Sequence, residues 1–190
     1  MKPVIRVFNK CSIENNHCDL SNGIDFAFRF KNIQVTQMKI TKAKQKDIDD
    51  VLELLGELFT QEVEFAFDRK LHTKGLKMIL KDKKIGEIFI VKQKDKVIAC
   101  LNILYTISTA LGAKVALFED IMVKQEFQSK GIGTKLLQKA LHYLTKKKIK
   151  RVTLLTDGDN FRAHQFYQKI GFIPSTMKPF RLRMQQPWEQ

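Results

Sequence analysis

The segment Phe118–Thr134, FEDIMVKQEFQSKGIGT, constrains the fold more than any other part of the chain. An apolar strand ends at Val123, and a loop that is polar apart from Phe127 follows. Gly131-Ile132-Gly133 then opens a helix with an apolar stripe at Leu136, Leu137, Ala140, Leu141 and Leu144. Such a junction aims unpaired backbone N–H groups at one point, with the positive end of the helix dipole behind them. Glycine there permits positive φ and close approach of a ligand. A phosphate or pyrophosphate is the natural occupant.

Three phosphate loops compete for this stretch. A Walker loop requires Gly-Lys-Ser/Thr at its end, whereas Gly133 is followed by Thr134 and Lys135. A dinucleotide fingerprint requires a third glycine where Leu136 stands, and a tight turn from strand to glycine. Asp157 would pass for its acid, but the loop between Val123 and Gly131 is too long for that turn. The third pattern, Gln/Arg-x-x-Gly-x-Gly/Ala, is met at every fixed position by Gln128-Ser129-Lys130-Gly131-Ile132-Gly133.

That pattern resembles the acyl-CoA pyrophosphate loop of the GNAT superfamily of N-acetyltransferases. A second block, Asn160-Phe161-Arg162-Ala163-His164-Gln165-Phe166-Tyr167-Gln168-Lys169-Ile170-Gly171-Phe172, is similar to the family's Asn-x-x-Ala-x-x-Phe-Tyr-x-x-x-Gly-Phe signature. The resemblance covers Met38 to Met184. It implies an α/β (α+β) fold, a mixed, mostly antiparallel sheet flanked by helices. It also implies acetyl transfer from acetyl-CoA, as co-substrate, to an amine, and a homodimer would be no more than a family habit.

A length of 190 residues suits one domain with an appendage. No apolar run approaches the ~20 residues that span a bilayer, and the amino terminus lacks a signal-peptide core, so the cytoplasm is the expected location. Cys11 and Cys18 with His17 lack the spacing of a metal site, and Cys100 reads as a buried thiol in a strand. No metal is expected. The net charge of +14 raises a rival reading, a GNAT-like module that binds acyl-CoA or nucleic acid without turnover. The intact glycine loop and Tyr167 count against it. Lys124, Lys130 and Lys135 around the loop would attract CoA phosphates. Asp47 to Asp68 holds eight acids and no Lys or Arg. That window suggests either a cationic acceptor, with Glu57, Glu62 and Glu64 as its contacts, or an ordinary solvated helix face.

Residues 1–37 fall outside the resemblance, as does the tail 185–190. The first stretch offers strands at Val4–Phe8 and Ile24–Phe30 and a turn at Ser21-Asn22-Gly23. It is an added element, a weakly ordered arm, or sequence upstream of a start at Met38. The domain 38–184 then reads as a strand at Met38–Thr41 and a helix from an Asp47 N-cap through Phe59. A loop at Glu62–Phe67 and a helix over Arg69–Leu80 come next. Strands follow at Ile85–Lys92, Val97–Ile107 and Val115–Val123, then the glycine-loop helix and a strand at Arg151–Thr156. A helix from about Asn160 ends at Gly171, and strands at Phe172–Ile173 and Phe180–Met184 complete the sheet.

The resemblance assigns roles residue by residue. The strand before the loop bulges in this family, and its backbone at Ile121, Met122 and Val123 pairs with the pantetheine arm. The loop amides of Gln128, Ser129, Lys130, Gly131, Ile132, Gly133 and Thr134 hold the pyrophosphate. Asn160 either contacts the CoA arm or simply caps its helix. Tyr167 protonates the departing thiolate, which suits a phenol of pKa ~10. Glu119 and Asp120 are the candidates for the base. Neighbouring strand residues face opposite ways, so at most one of them enters the cleft, and the resemblance selects Glu119.

Overall fold

The computed structural model describes residues 38–60 and 66–182. The expected features in 1–37, the acids Glu62 and Glu64, and the end of the chain from Arg183 lie outside the described residues. Among the described residues no helix is long and apolar enough to cross a membrane.

Among the described residues, five strands form one sheet in sequential order: β1 (Lys39–Lys42), β2 (Gly86–Gln93), β3 (Lys96–Ser108), β4 (Ala113–Val123) and β5 (Val152–Leu154). All neighbours are antiparallel except β4 and β5. The β2–β3 hairpin turns at Lys94 and Asp95, both at positive φ, the geometry that matches the twist of the flanking strands. Strands β2 and β3 are apolar without alternation because both faces of the sheet are covered.

Helices α1 (Ile48–Phe59) and α2 (Arg69–Lys81) belong to one face, where Val51, Leu52, Leu55 and Leu76 meet Ile88, Ile90, Cys100 and Met122. Helix α3 (Ile132–Lys146) covers the other face, its stripe Ile132, Leu136, Leu137, Ala140 and Leu144 against Phe89, Leu101, Ile103 and Phe118. Helix α4 (Phe161–Ile170) adds Phe166 and Tyr167 to the rim of that second cluster and ends at Gly171, left-handed as expected. Asp47 does not cap α1 through its side chain. It accepts instead from the Lys44 backbone N–H at 2.8 Å and from Lys92 Nζ at 2.5 Å, tying α1 to β2.

One carboxylate is buried in the α3 face. Glu87 is 5% exposed and accepts from Lys42 Nζ (2.6 Å), Tyr105 Oη (2.6 Å), Tyr143 Oη (2.9 Å) and Lys147 Nζ (3.1 Å). Burial works to raise its pKa, but these four donors outweigh burial and hold it at about 2.

Two expectations are corrected. The strand at Arg151–Thr156 shrinks to Val152–Leu154, and no strand forms over 172–182. Ile173, Met177 and Phe180 are almost wholly exposed there. Alternation in Phe180-Arg181-Leu182 suits a strand, but a strand also requires a neighbouring strand edge, and none of the five strands runs beside this segment as a ladder partner.

Candidate functional site

Strands β4 and β5 run together only briefly, Ala116–Phe118 beside Val152–Leu154. Beyond Phe118, β4 continues to Val123 with β3 on one side and, among the described residues, no strand on the other. At the point of separation the ladder is irregular. Leu101 pairs with Ile121 but Ile103 pairs with Phe118, so Glu119 and Asp120 together oppose Asn102. This is a β-bulge, and it resets the alternation. Phe118, Ile121 and Val123 all side with the α3 cluster, while Met122 joins the α1 cluster.

The backbone follows the same logic. The Lys124 N–H donates to Ile98 O at 2.9 Å. Because backbone groups alternate along a strand, Ile121 and Val123 turn theirs away from β3, toward the notch that β5 leaves open. The Val123 carbonyl is already taken: Gln128 Nε2 donates to it at 3.0 Å and folds the loop back onto the end of the strand.

The loop delivers the start of α3 to the same place. Ser129 and Gly131 are both at positive φ, 59° and 75°. The first helical bond runs from the Lys135 N–H to Gly131 O at 3.0 Å, so the amides of Ile132, Gly133 and Thr134 have no acceptor within the helix. The two glycines do different work. Gly131 supplies the left-handed turn, whereas Gly133 is helical and lets α4 approach. A Cβ at Gly133 would lie 3.2 Å from Phe166 Cζ and 3.6 Å from Val123 Cγ2. The end of β4, the start of α3 and the middle of α4 therefore meet at one point. Arg162 of α4 reinforces the junction by donating to Ser129 Oγ at 3.1 Å. Lys130 Nζ stands 5.4 Å from the centre of the Phe127 ring.

Tyr167 sits between Phe166 and Phe172, with ring centres 5.3 Å and 5.9 Å away. Phe172 in turn meets Phe118, the last β4 residue paired with β5. Burial raises the Tyr167 phenol above its ordinary value, so it is protonated at neutral pH. Its hydroxyl has no hydrogen-bond partner among the described residues. Asn160 is an N-cap: its Oδ1 accepts from the Ala163 N–H at 3.1 Å.

Both carboxylates of the bulge are shifted upward. For Glu119, burial and the adjacent Asp120 raise the pKa and Arg181 opposes them. For Asp120, burial raises it, and the Asn102 hydrogen bond and His72 oppose. Asn102 Nδ2 donates to Asp120 Oδ2 at 2.6 Å. His72 lies between Phe59 and Phe67, and its Nδ1 is 2.6 Å from Asp68 O. Neither Asn102 nor His72 is among the residues that motif reasoning selects. A signal for Asn102 exists, since it is the one polar residue in the run Val97–Ile103.

The acidic window is not without counter-charge. Asp47 pairs with Lys92, Asp49 with Arg69 (2.6 Å) and Asp50 with Lys96 (3.4 Å), and Asp68 caps α2 through the Leu71 N–H (3.0 Å). Glu57 lies half-buried on α1.

The profile of the acetyltransferase (GNAT) family matches residues 48–172. An uncharacterized N-acetyltransferase of Archaeoglobus fulgidus is 30% identical over 133 residues, 68% of this chain and 89% of its own. Among solved structures, a possible acetyltransferase from Clostridium difficile 630 superposes with a TM-score of 0.70 at 21% identity, covering 77% of this chain and 97% of its own. An aminoglycoside N-acetyltransferase solved in complex with CoA gives 0.66 at 17% identity, over 77% and 95%. These likenesses show a shared fold. With the family profile spanning β2 to β5, the glycine loop and α4, the chain belongs to the GNAT family of acetyltransferases.

Proposed function

We propose that the protein transfers an acetyl group from acetyl-CoA to a primary amine by direct attack in a ternary complex, without a covalent enzyme intermediate. The observation that carries this reading is the meeting of three elements at Gly133: the open edge of β4 at Val123, the unpaired amides that start α3, and Phe166 of α4, the helix that also carries the protonated Tyr167. The amides from Gln128 to Thr134 would receive the pyrophosphate at the positive end of α3. The edge of Ile121, Met122 and Val123 would pair with the amide-bearing arm of CoA as an added strand does. Tyr167 would return a proton to the leaving sulfur, and the carboxylates of the bulge, Glu119 and Asp120, would take one from the incoming ammonium. Asn160 would serve the CoA side while capping α4.

The acceptor side is read as the α1/α2 face, with Glu57, and with Glu62 and Glu64 beyond the described residues, drawing a cationic amine. The test is calorimetric titration of the folded protein with acetyl-CoA, with Gly131→Asp and Lys130→Glu alongside. Binding in the wild type that is weakened in both variants supports the reading. A folded wild type that binds no acetyl-CoA overturns it.

A further inference from the structure

Asn102 is 3% exposed, yet only half of its amide is satisfied. Nδ2 donates to Asp120, while Oδ1 is buried without a hydrogen-bond partner among the described residues. An unpaired buried acceptor costs ~1–3 kcal/mol, and an apolar residue would fill this β3 position without that cost. The orphan atom therefore calls for a donor that the described residues do not supply.

The bulge shows where such a donor would come from. Asn102 pairs with Ile88 on β2, whose side chain belongs to the α1/α2 face. Cross-strand partners share a face, so Asn102 and the Asp120 side chain bonded to it lie on that face. Without the inserted residue Asp120 would side with Phe118, on the α3 face. The groups acting on Asp120 are His72 from α2 and Asn102 from β3; its charge in turn acts on Glu119 beside it on β4 and on the buried thiol of Cys100. Glu119 differs in degree: it is only partly shielded and is the more exposed of the two, and Arg181 acts on it.

We propose that Asn102 and Asp120 form the subsite for the acceptor amine, with Asp120 as the proton acceptor and Asn102 Oδ1 receiving a second amine N–H. This rests on the acetyl-transfer reading above and goes beyond it by choosing between the two carboxylates and adding a residue. In the reaction, the ammonium gives one proton to Asp120, and the freed lone pair forms the C–N bond at the thioester carbonyl. The C–S bond breaks with its electron pair on sulfur, and Tyr167 protonates the thiolate. The surplus proton on nitrogen leaves to solvent, and Tyr167 and Asp120 re-equilibrate with solvent. The sum is amide, CoA thiol and one proton. The raised carboxyl of Asp120 suits a base better than an exposed aspartate would. Asn102 is bifunctional in this scheme: through Nδ2 it fixes the carboxylate, and through Oδ1 it orients the nucleophile.

The experiment compares wild type, Asp120→Asn, Glu119→Gln and Asn102→Ala, each checked for folding. Asp120→Asn is near-isosteric and keeps an acceptor for Asn102. Acetyl-CoA affinity is read by calorimetry and CoA release by thiol assay across pH, with spermidine, a lysine-containing peptide and an aminoglycoside as probes. The expected result is acetyl-CoA affinity like that of the wild type in all variants and kcat/KM lowered ~100-fold or more by Asp120→Asn. That variant should lose the acid limb of the pH profile and fall well below Glu119→Gln. Asn102→Ala should raise the amine KM more than it lowers kcat. A Glu119→Gln loss exceeding that of Asp120→Asn overturns the proposal. Should no probe turn over, the side-chain amide resonances of Asn102 are followed by NMR as spermidine is added. Movement in wild type but not in Asp120→Asn supports the proposal, and no movement overturns it. Failure of the wild type to bind acetyl-CoA strikes the transferase reading itself, a distinct outcome that removes this proposal with it.

Discussion

Phe166 Cζ lies 3.2 Å from the point where a Cβ on Gly133 would stand. The glycine motif is thus a packing device as well as a loop former, because it sets how closely α4 approaches the end of β4. Tyr167 is the next residue along α4, so its hydroxyl inherits that distance.

Gly133→Ala should therefore leave stability almost unchanged while lowering turnover. The helix gains ~1 kcal/mol from alanine, and overpacking against Phe166 costs a similar ~1–3 kcal/mol. The displaced α4 moves Tyr167 by a few tenths of an ångström. Gly133→Val, with a larger clash, should lower the melting temperature clearly. Thermal melts paired with kcat measurements check both, and an alanine variant with wild-type kcat would show that Tyr167 is placed independently of the glycine.

Tyr167→Phe removes a hydroxyl that makes no hydrogen bond among the described residues and keeps the aromatic contacts with Phe166 and Phe172. Folding and acetyl-CoA affinity should persist. The chemical step should slow by ~10²-fold, the scale of one positioned acid. Single-turnover kinetics read this directly, and an unchanged rate would remove Tyr167 from the mechanism.

Gln128→Ala severs the bond to the Val123 carbonyl. The loop loses the tie that holds it to β4, at ~1 kcal/mol for an ordinary hydrogen bond. The free amides of Ile132 to Thr134 lose part of their preorganisation, and the Kd for acetyl-CoA should rise several-fold. Glutamate at this position should do worse, since a carboxylate cannot donate to the carbonyl and adds charge beside the anion site.

Glu87 gives a stability prediction with a definite sign. Its folded pKa, about 2, lies below its ordinary 4.5. The native contribution is thus fully present above pH ~4.5 and is lost as pH falls toward 2. The shift corresponds to about 3 kcal/mol. Glu87→Gln should destabilise the protein at pH 7 by a comparable amount, leaving Lys42 and Lys147 without their anion. The variant should also show a flatter loss of stability between pH 5 and 2, measurable by denaturant melts across that range.

The elements that bury a face were legible from the chain. Ile48, Val51, Leu52 and Leu55 recur at helical spacing, and Gly171 announces the end of α4 by needing a left-handed turn. The glycine loop was legible because its spacing is local. What escaped depends on partners far along the sequence. Asp47 looks like a cap in its own neighbourhood but is held by Lys92, and the acids beside it find Lys96 and Arg69. The bulge, expected from the family resemblance, is invisible to alternation alone, since Phe-Glu-Asp-Ile-Met-Val reads as an unbroken strand until Asn102 has to face two residues. Phe180 and Leu182 carry a strand pattern that only a neighbouring edge could turn into a strand.

The notch also bears on solubility. An unpaired strand edge is a template on which another chain can build a sheet. This edge is short, its carbonyl at Val123 is occupied by Gln128, and the bulge has broken the register at its start. A second β-strand would need a longer, evenly spaced run of free N–H and C=O groups than Ile121 and Val123 offer. A slender chain with only one or two amides makes no such demand. The same irregularities that open the sheet to a small extended ligand thus close it to aggregation.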